Sequence, residues 1–150
     1  MSESTDAFVV HGTFALPYNY FAGQLASTWL IALRDEQKIY GLRHPNTGKV
    51  YVPPRQTDER DFVDLTGDWV EVGPAGVITG LTIIRYQAPY HPLPTPFGLA
   101  LIKLDGADTA LVHVIREQDL ARAGIGNRVR AVFAKERKGS ILDIAYFEPQ

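Results

Sequence analysis

Two pairs of polar residues, His44 with Thr47 and Asp58 with Asp61, repeat the two-residue gap at which protein ligands grip a single metal ion. They lie in LRHPNTGKVYVPPRQTDERDF, residues 42 to 62. In a zinc ribbon each such pair is a C-x2-C knuckle presenting two thiolates to a tetrahedral zinc, and the hairpin between the knuckles is stapled shut by the metal. This chain has no cysteine. Gly48 still follows the first pair, where the backbone must turn, and Val50 to Val52 still supply a strand that ends at Pro53-Pro54-Arg55. Imidazole and carboxylate do bind zinc, so His44, Asp58 and Asp61 offer three ligands, with Thr47 a poor fourth. A structural zinc closes its shell with four, however, and hard carboxylates are weak replacements in a site shaped for thiolates. These four residues therefore read as degenerate metal positions that hydrogen-bond the two turns and hold no metal.

Other chemistry is sparse. Without cysteine there is neither a disulfide nor a thiol nucleophile. The histidines are His11, His44, His91 and His113, and none belongs to a nucleophile elbow, an HExxH pair or a paired-carboxylate motif. His113 stands between Val112 and Val114 on a predicted strand, which places it half-exposed on the face opposite them. His91 lies in the loop Ala88 to Phe97, which four prolines stiffen. Tyr90 and Phe97 give that loop aromatic surface, and a pre-stiffened loop loses little entropy on binding, so the loop either contacts a partner through them or only covers the barrel's end. Arg55, held by its two prolines, is expected either to clamp an anion in bidentate fashion or to pair with Asp58 or Asp61. No catalytic residue is assigned.

The elements that would carry these residues fall into three zones. Residues 1–38 form an N-terminal arm whose Leu25, Trp29 and Leu33 recur every four residues, an amphipathic helix. Residues 39–66 form the degenerate, rubredoxin-like ribbon. Residues 67–150 alternate strand-like runs with turns: Trp69 to Val72 and Val77 to Tyr86 as one interrupted strand, Leu99 to Leu104, Thr109 to Ile115, a short helix Glu117 to Ala123, then Arg128 to Ala134 and Ile141 to Phe147. That order belongs to an OB-fold, a five-stranded barrel, and makes the chain mainly β. Val129, Ala131 and Phe133 face one way and Arg128 and Arg130 the other, as a half-wet barrel wall requires.

With 150 residues, 45% of them hydrophobic, the chain can bury a real core. Its net charge of -2 and scattered cations offer no basic face to a phosphate backbone, which disfavours nucleic acid. The acidic start, MSESTDAFVV, has no signal-peptide layout, and no apolar run approaches the ~20 residues that span a bilayer. A soluble, cytoplasmic protein is expected.

Taken together, LPYNYFAG before the helix, PPR in the ribbon, DWVEVGPAGVITGLTII, GLALIKLDGADTALVHVI, IGNRVRAVF and ILDIAYFEP resemble the acyl-CoA-associated zinc-ribbon/OB-fold family, catalogued as domain of unknown function thirty-five. The resemblance runs from about Phe14 to Pro149 and departs from the family at all four metal positions, so zinc is not carried over. It implies a non-catalytic accessory subunit of a thiolase-like enzyme, in a hetero-oligomer, that helps to hold or channel an acyl-CoA thioester. The partner would supply the nucleophile. No cofactor is expected on this chain, and a coenzyme A thioester would sit at the interface. Lys49, Arg55, Lys103 and Arg137 are then candidates for its phosphates, and Leu25, Trp29, Leu33, Tyr90 and Phe97 for the partner, the alternative for the helix stripe being that it docks on the ribbon and barrel of its own chain. The rival reading is a free-standing OB module that binds single-stranded nucleic acid through stacking aromatics. A third, a small enzyme with an unrecognised site, lacks a matched nucleophile and base.

Overall fold

The computed structural model describes residues 8–150. The first seven residues of the N-terminal arm lie outside the described residues. One helix, α1 (Gln24–Glu36), precedes a hairpin of β1 (Ile39–Arg43) and β2 (Val50–Tyr51). Then come β3 (Trp69–Val72), β4 (Ala75–Ile84), β5 (Phe97–Leu104) and β6 (Ala110–Ile115). A short 3-10 segment (Glu117–Arg122) leads to β7 (Arg128–Phe133), and another (Ile141–Asp143) to β8 (Ile144–Pro149). The fold is mainly β. No helix among the described residues is long and apolar enough to cross a membrane.

The strands β4 to β8 close a barrel in the order β4-β5-β6-β8-β7, the five-stranded OB-fold expected from the sequence. Closure needs the ten-residue β4 to serve two neighbours. Its start pairs with β7, Val77 opposite Arg128, and a bulge between Ile78 and Gly80 bends the rest along β5. Gly76 is required there, because a Cβ at that position would meet the Lys103 carbonyl oxygen at 2.5 Å. Inside lie Ile78, Ile102, Leu111, Ile115, Val129 and Phe147, all buried.

The second sheet has the order β2-β1-β3. Here the expectation for Trp69 to Val72 is corrected: the segment is no part of a barrel strand, and it pairs with β1, Leu42 opposite Trp69 and Ile39 opposite Val72. The Gly73-Pro74 break is where the chain passes from one sheet to the other. The barrel's β5–β6 turn also grips this sheet. Val50 N donates to Asp108 Oδ2 (2.9 Å) and Val52 N to Thr109 Oγ1 (2.7 Å), while Asp108 N returns a bond to the Val50 carbonyl (2.8 Å).

Helix α1 seals the seam. Trp29 is 5% exposed and Leu33 fully buried, and both share one core cluster with Ile39, Val50, Val72 and the barrel residues Ile102 and Phe147. The Trp29 indole N–H donates to the Tyr40 carbonyl at 2.7 Å. This corrects the assignment of Trp29 and Leu33 to a partner surface: an i, i+4 stripe shows that a face is apolar without showing what covers it, and here the chain's own sheet does. Leu25, at the other end, is half-buried against the small cluster of Leu42, Tyr51 and Leu65. Phe97 is corrected too. It opens β5 and is buried, with the His91 ring edge-on at 5.3 Å, whereas Tyr90 is 78% exposed.

His113 also departs from expectation. Val112 faces outward and His113 inward, buried beside Phe147 with ring centroids 5.5 Å apart. Its Nδ1 accepts from Val114 N (2.9 Å) and its Nε2 lies 3.2 Å from the Ile141 carbonyl, a pattern that calls for the neutral ring with the proton on Nε2. Burial lowers its pKa below the ordinary value of 6.5. The unfolded chain then takes up the proton first, so stability is constant above about pH 7 and falls as pH drops below the unfolded value of about 6.5. Melting temperatures measured downward from pH 8 are expected to decline across this window, and His113→Gln is expected to flatten the decline. An identical decline in that variant would contradict it.

Candidate functional site

The β1–β2 turn carries His44 to Thr47, closed by Gly48 N donating to the His44 carbonyl (2.9 Å) with Gly48 at φ 73. The second turn carries Asp58 to Asp61. Asp58 N donates to the Val63 carbonyl (3.0 Å), and a single bridge pairs Thr57 with Asp64. The two turns face each other, and one ligand atom from each of His44, Asp58 and Asp61 lies within 4.8 Å of the others. Thr47 is exposed, and its hydroxyl accepts a long bond from Lys49 N at 3.5 Å.

Each turn is held by its first residue. His44 is buried, and its Nδ1 accepts from the amides of Asn46 (3.1 Å) and Thr47 (3.3 Å). Asp58, equally buried, does the same in the second turn, its Oδ1 accepting from Arg60 N (2.8 Å) and Asp61 N (3.3 Å). With Nδ1 an acceptor, the proton of neutral His44 sits on Nε2, which donates across the gap to the Asp61 carboxylate at 3.1 Å. Tyr51, from β2, closes the other side: its hydroxyl donates to Asp58 Oδ2 at 2.5 Å. That bond, with the Arg60 amide second, lowers the Asp58 carboxyl to about 2, and raises the Tyr51 phenol. Asp58 therefore stays ionised throughout the neutral range.

This donor set does not fit a tetrahedral zinc. The one His44 nitrogen that faces the gap carries a proton, both Asp58 oxygens are engaged, and the fourth position, Thr47, is an exposed hydroxyl that accepts from Lys49 N. The proton on His44 Nε2 joins the two turns, and the Tyr51 hydroxyl ties β2 to the second of them. Elemental analysis of protein purified without chelator is expected to find far less than one zinc per chain, with a melting temperature indifferent to EDTA. Zinc near one equivalent would contradict this.

Tyr51 is the functional residue the sequence did not signal. It reads as an ordinary strand residue, and nothing local ties it to Asp58 seven positions later. Arg55 pairs with neither Asp58 nor Asp61; it reaches Glu59 (2.6 Å) and lies over the Tyr51 ring at 4.7 Å.

The candidate phosphate-binding cations do not converge. Arg55 lines a groove of about 560 Å³ with Gly23, Gln24 and Leu25 at the start of α1. Arg137 sits at the end of that helix, its guanidinium donating to the carbonyls of Arg34 (2.6 Å) and Ala134 (2.9 Å). The two sit at opposite ends of the stretch from Gln24 to Arg34, ten residues at about 1.5 Å each or about 15 Å of helix, so they do not share one pyrophosphate site. Arg137 is thereby corrected to a brace between α1 and the β7–β8 connection. Lys49 is exposed beside the first turn and Lys103 on the outer face of β5. Of the sequence candidates, the structure brings together His44, Asp58 and Asp61 in one place, and Leu25 and Arg55 in another.

Comparison with known proteins agrees with this architecture. Residues 69–134 match the family model described as ChsH2, C-terminal OB-fold domain. No curated protein matches the chain in sequence. Among solved structures, the chain is similar to one of the Ltp2-ChsH2(DUF35) aldolase, at TM-score 0.62 and 16% identity, over 87% of this chain and 95% of that one. It is similar also to a DUF35-family protein of unknown function from Sulfolobus solfataricus, at TM-score 0.58 and 23% identity, over 73% of this chain and 78% of that one. At these identities the likeness to the solved structures is one of fold.

Proposed function

From a chain that carries an OB-fold domain of the ChsH2 C-terminal type within a DUF35 fold, we propose that this protein is a non-catalytic accessory subunit of a thiolase-like enzyme, helping to assemble the complex and to hold or channel an acyl-CoA thioester. The observation that supports the reading is the match over 95% of a chain from the Ltp2-ChsH2(DUF35) aldolase, by a chain whose own polar cluster is spent on hydrogen bonds. His44, Asp58, Asp61 and Tyr51 hold two turns together, and none of them presents a free base beside a nucleophile. His113 and Asp119, also buried, are likewise engaged, His113 with backbone and Asp119 with Arg116 at 2.8 Å. The chemistry then belongs to the partner, in a soluble, cytoplasmic hetero-oligomer. The groove beside Arg55 supports a thioester contact there, because it combines one cation with the apolar walls of Leu25 and Trp69.

The nucleic-acid alternative is weakened by the barrel's outer face. Leu99, Leu101 and Val112 line a shallow apolar surface across β4, β5 and β6, where single-strand binders carry stacking aromatics and bases. Affinity purification of the tagged full-length chain from its native source, beside a mobility-shift titration with single-stranded DNA and RNA at low salt, separates the readings. A thiolase-fold subunit in stoichiometric amount and no shift is expected. Submicromolar nucleic-acid binding that fades with salt, with no enzyme retained, would overturn the proposal.

A further inference from the structure

The segment before α1, residues 8 to 21, has no regular structure, and its eight large apolar side chains are between 67% and 88% exposed: Phe8, Val9, Val10, Phe14, Leu16, Tyr18, Tyr20 and Phe21. Meanwhile the core beneath α1 is closed without them, since Trp29, Leu33, Ile39 and Phe147 are already buried. An exposed apolar stretch of this length marks an interaction surface.

Its chemistry narrows the occupant. The segment contains no Lys, Arg, Asp or Glu, so it has none of the cations with which an interfacial segment meets a lipid headgroup. Phe14, Leu16, Tyr18 and Tyr20 alternate, the spacing that puts side chains on one face of an extended chain. The Tyr18 and Tyr20 rings do lie on one side, with centroids 6.2 Å apart. Pro17, on the other face, lacks an N–H and keeps the segment from a central place in a sheet. Five exposed rings at about 150 Å² each offer roughly 750 Å², close to the ~800 Å² that one side of a standard protein interface buries. A second copy of this chain offers only two separate small recesses to receive them: the aliphatic strip of Leu99, Leu101 and Val112, about 320 Å³, and a groove of Ile31, Ala32, Tyr40 and Trp69, about 330 Å³, which also carries the Glu36 carboxylate.

We infer that residues 8 to 21 are an extended strap that lies along an uncharged apolar furrow of the thiolase-like subunit, with Phe14, Leu16, Tyr18 and Tyr20 as its anchors. The inference rests on the accessory-subunit reading above and names the surface through which that subunit acts. Seven extended residues from Phe14 to Tyr20 span about 23 Å, which sets the length of the furrow.

The test compares the full-length wild type with a full-length variant carrying Phe14→Ser, Leu16→Ser, Tyr18→Ser and Tyr20→Ser. The probe is the thiolase-fold subunit that co-purifies with the wild type, expressed separately and titrated by calorimetry. The variant is expected to bind at least about 100-fold more weakly, because large aromatic anchors carry most of an interface's binding energy, while keeping the wild-type melting temperature. The wild type alone is expected to sediment as a monomer. Unchanged affinity of the variant would place the interface elsewhere and overturn the inference while leaving the accessory role standing. A wild-type dimer that the substitutions dissolve would assign the strap to a second copy and overturn it too. If no thiolase-fold subunit binds the wild type, the accessory reading itself fails, and with it this partner.

Discussion

Trp29→Ala is expected to unfold far more easily than the wild type, even with no partner present. The side chain is 5% exposed in the seam between the barrel and the small sheet, and its indole N–H satisfies the Tyr40 carbonyl at 2.7 Å. Truncating a buried aromatic of this size costs about 3 to 5 kcal/mol through lost transfer energy and the cavity left behind. At roughly 2 to 4 °C per kcal/mol for a chain of this length, the melting temperature is expected to fall by about 6 to 20 °C. Thermal unfolding of the isolated variant measures it directly. A drop of less than about 2 °C would mean that the stripe of Leu25, Trp29 and Leu33 serves an outside surface after all, and that α1 is dispensable to the core.

The second large effect comes from giving the two turns their sulfur. With His44→Cys, Thr47→Cys, Asp58→Cys and Asp61→Cys combined, thiolates at positions 44 and 58 would accept the amides that His44 and Asp58 now accept. Three of the four present side chains already bring a polar atom within 4.8 Å of the others, near the span of a tetrahedral zinc site with Zn–S distances of about 2.3 Å. One zinc per chain is expected. Without metal the variant has lost the His44–Asp61 bond and the carboxylate that accepts from Tyr51, and should melt below the wild type; with zinc at about 1,000 times its dissociation constant it regains roughly 4 kcal/mol, or about 8 to 16 °C. Colorimetric thiol titration with and without zinc, beside paired melts, reads both. A variant that binds no zinc would show that the turns do not have the ribbon geometry that their spacing suggests.

What the sequence revealed depended on whether the pattern was local. The barrel was legible because alternation on β7 and the Asp105-Gly106 turn between β5 and β6 are written in consecutive residues. Strand β3 was misplaced because Trp69 to Val72 abuts β4 in sequence, while its true partner, β1, lies some thirty residues back and leaves no local mark. His113 was turned the wrong way for a related reason: with valine on both sides, alternation fixes two faces but does not say which is inside. At the candidate site, the spacing of His44, Thr47, Asp58 and Asp61 exposed the two turns. The replacement for the metal was invisible, because Tyr51 becomes part of the site only when β2 folds against the second turn.

Reconstitution of turnover tests the central claim, that this chain is a partner's accessory subunit and has no catalysis of its own. The chain and the thiolase-like subunit it retains are purified separately, then assayed for acyl-CoA turnover alone and mixed. The expected result is no turnover by the chain alone, and turnover by the mixture that exceeds the enzyme subunit alone and is abolished by blocking that subunit's nucleophile. Turnover by this chain without its partner, or full activity of the enzyme subunit without this chain, would contradict the account.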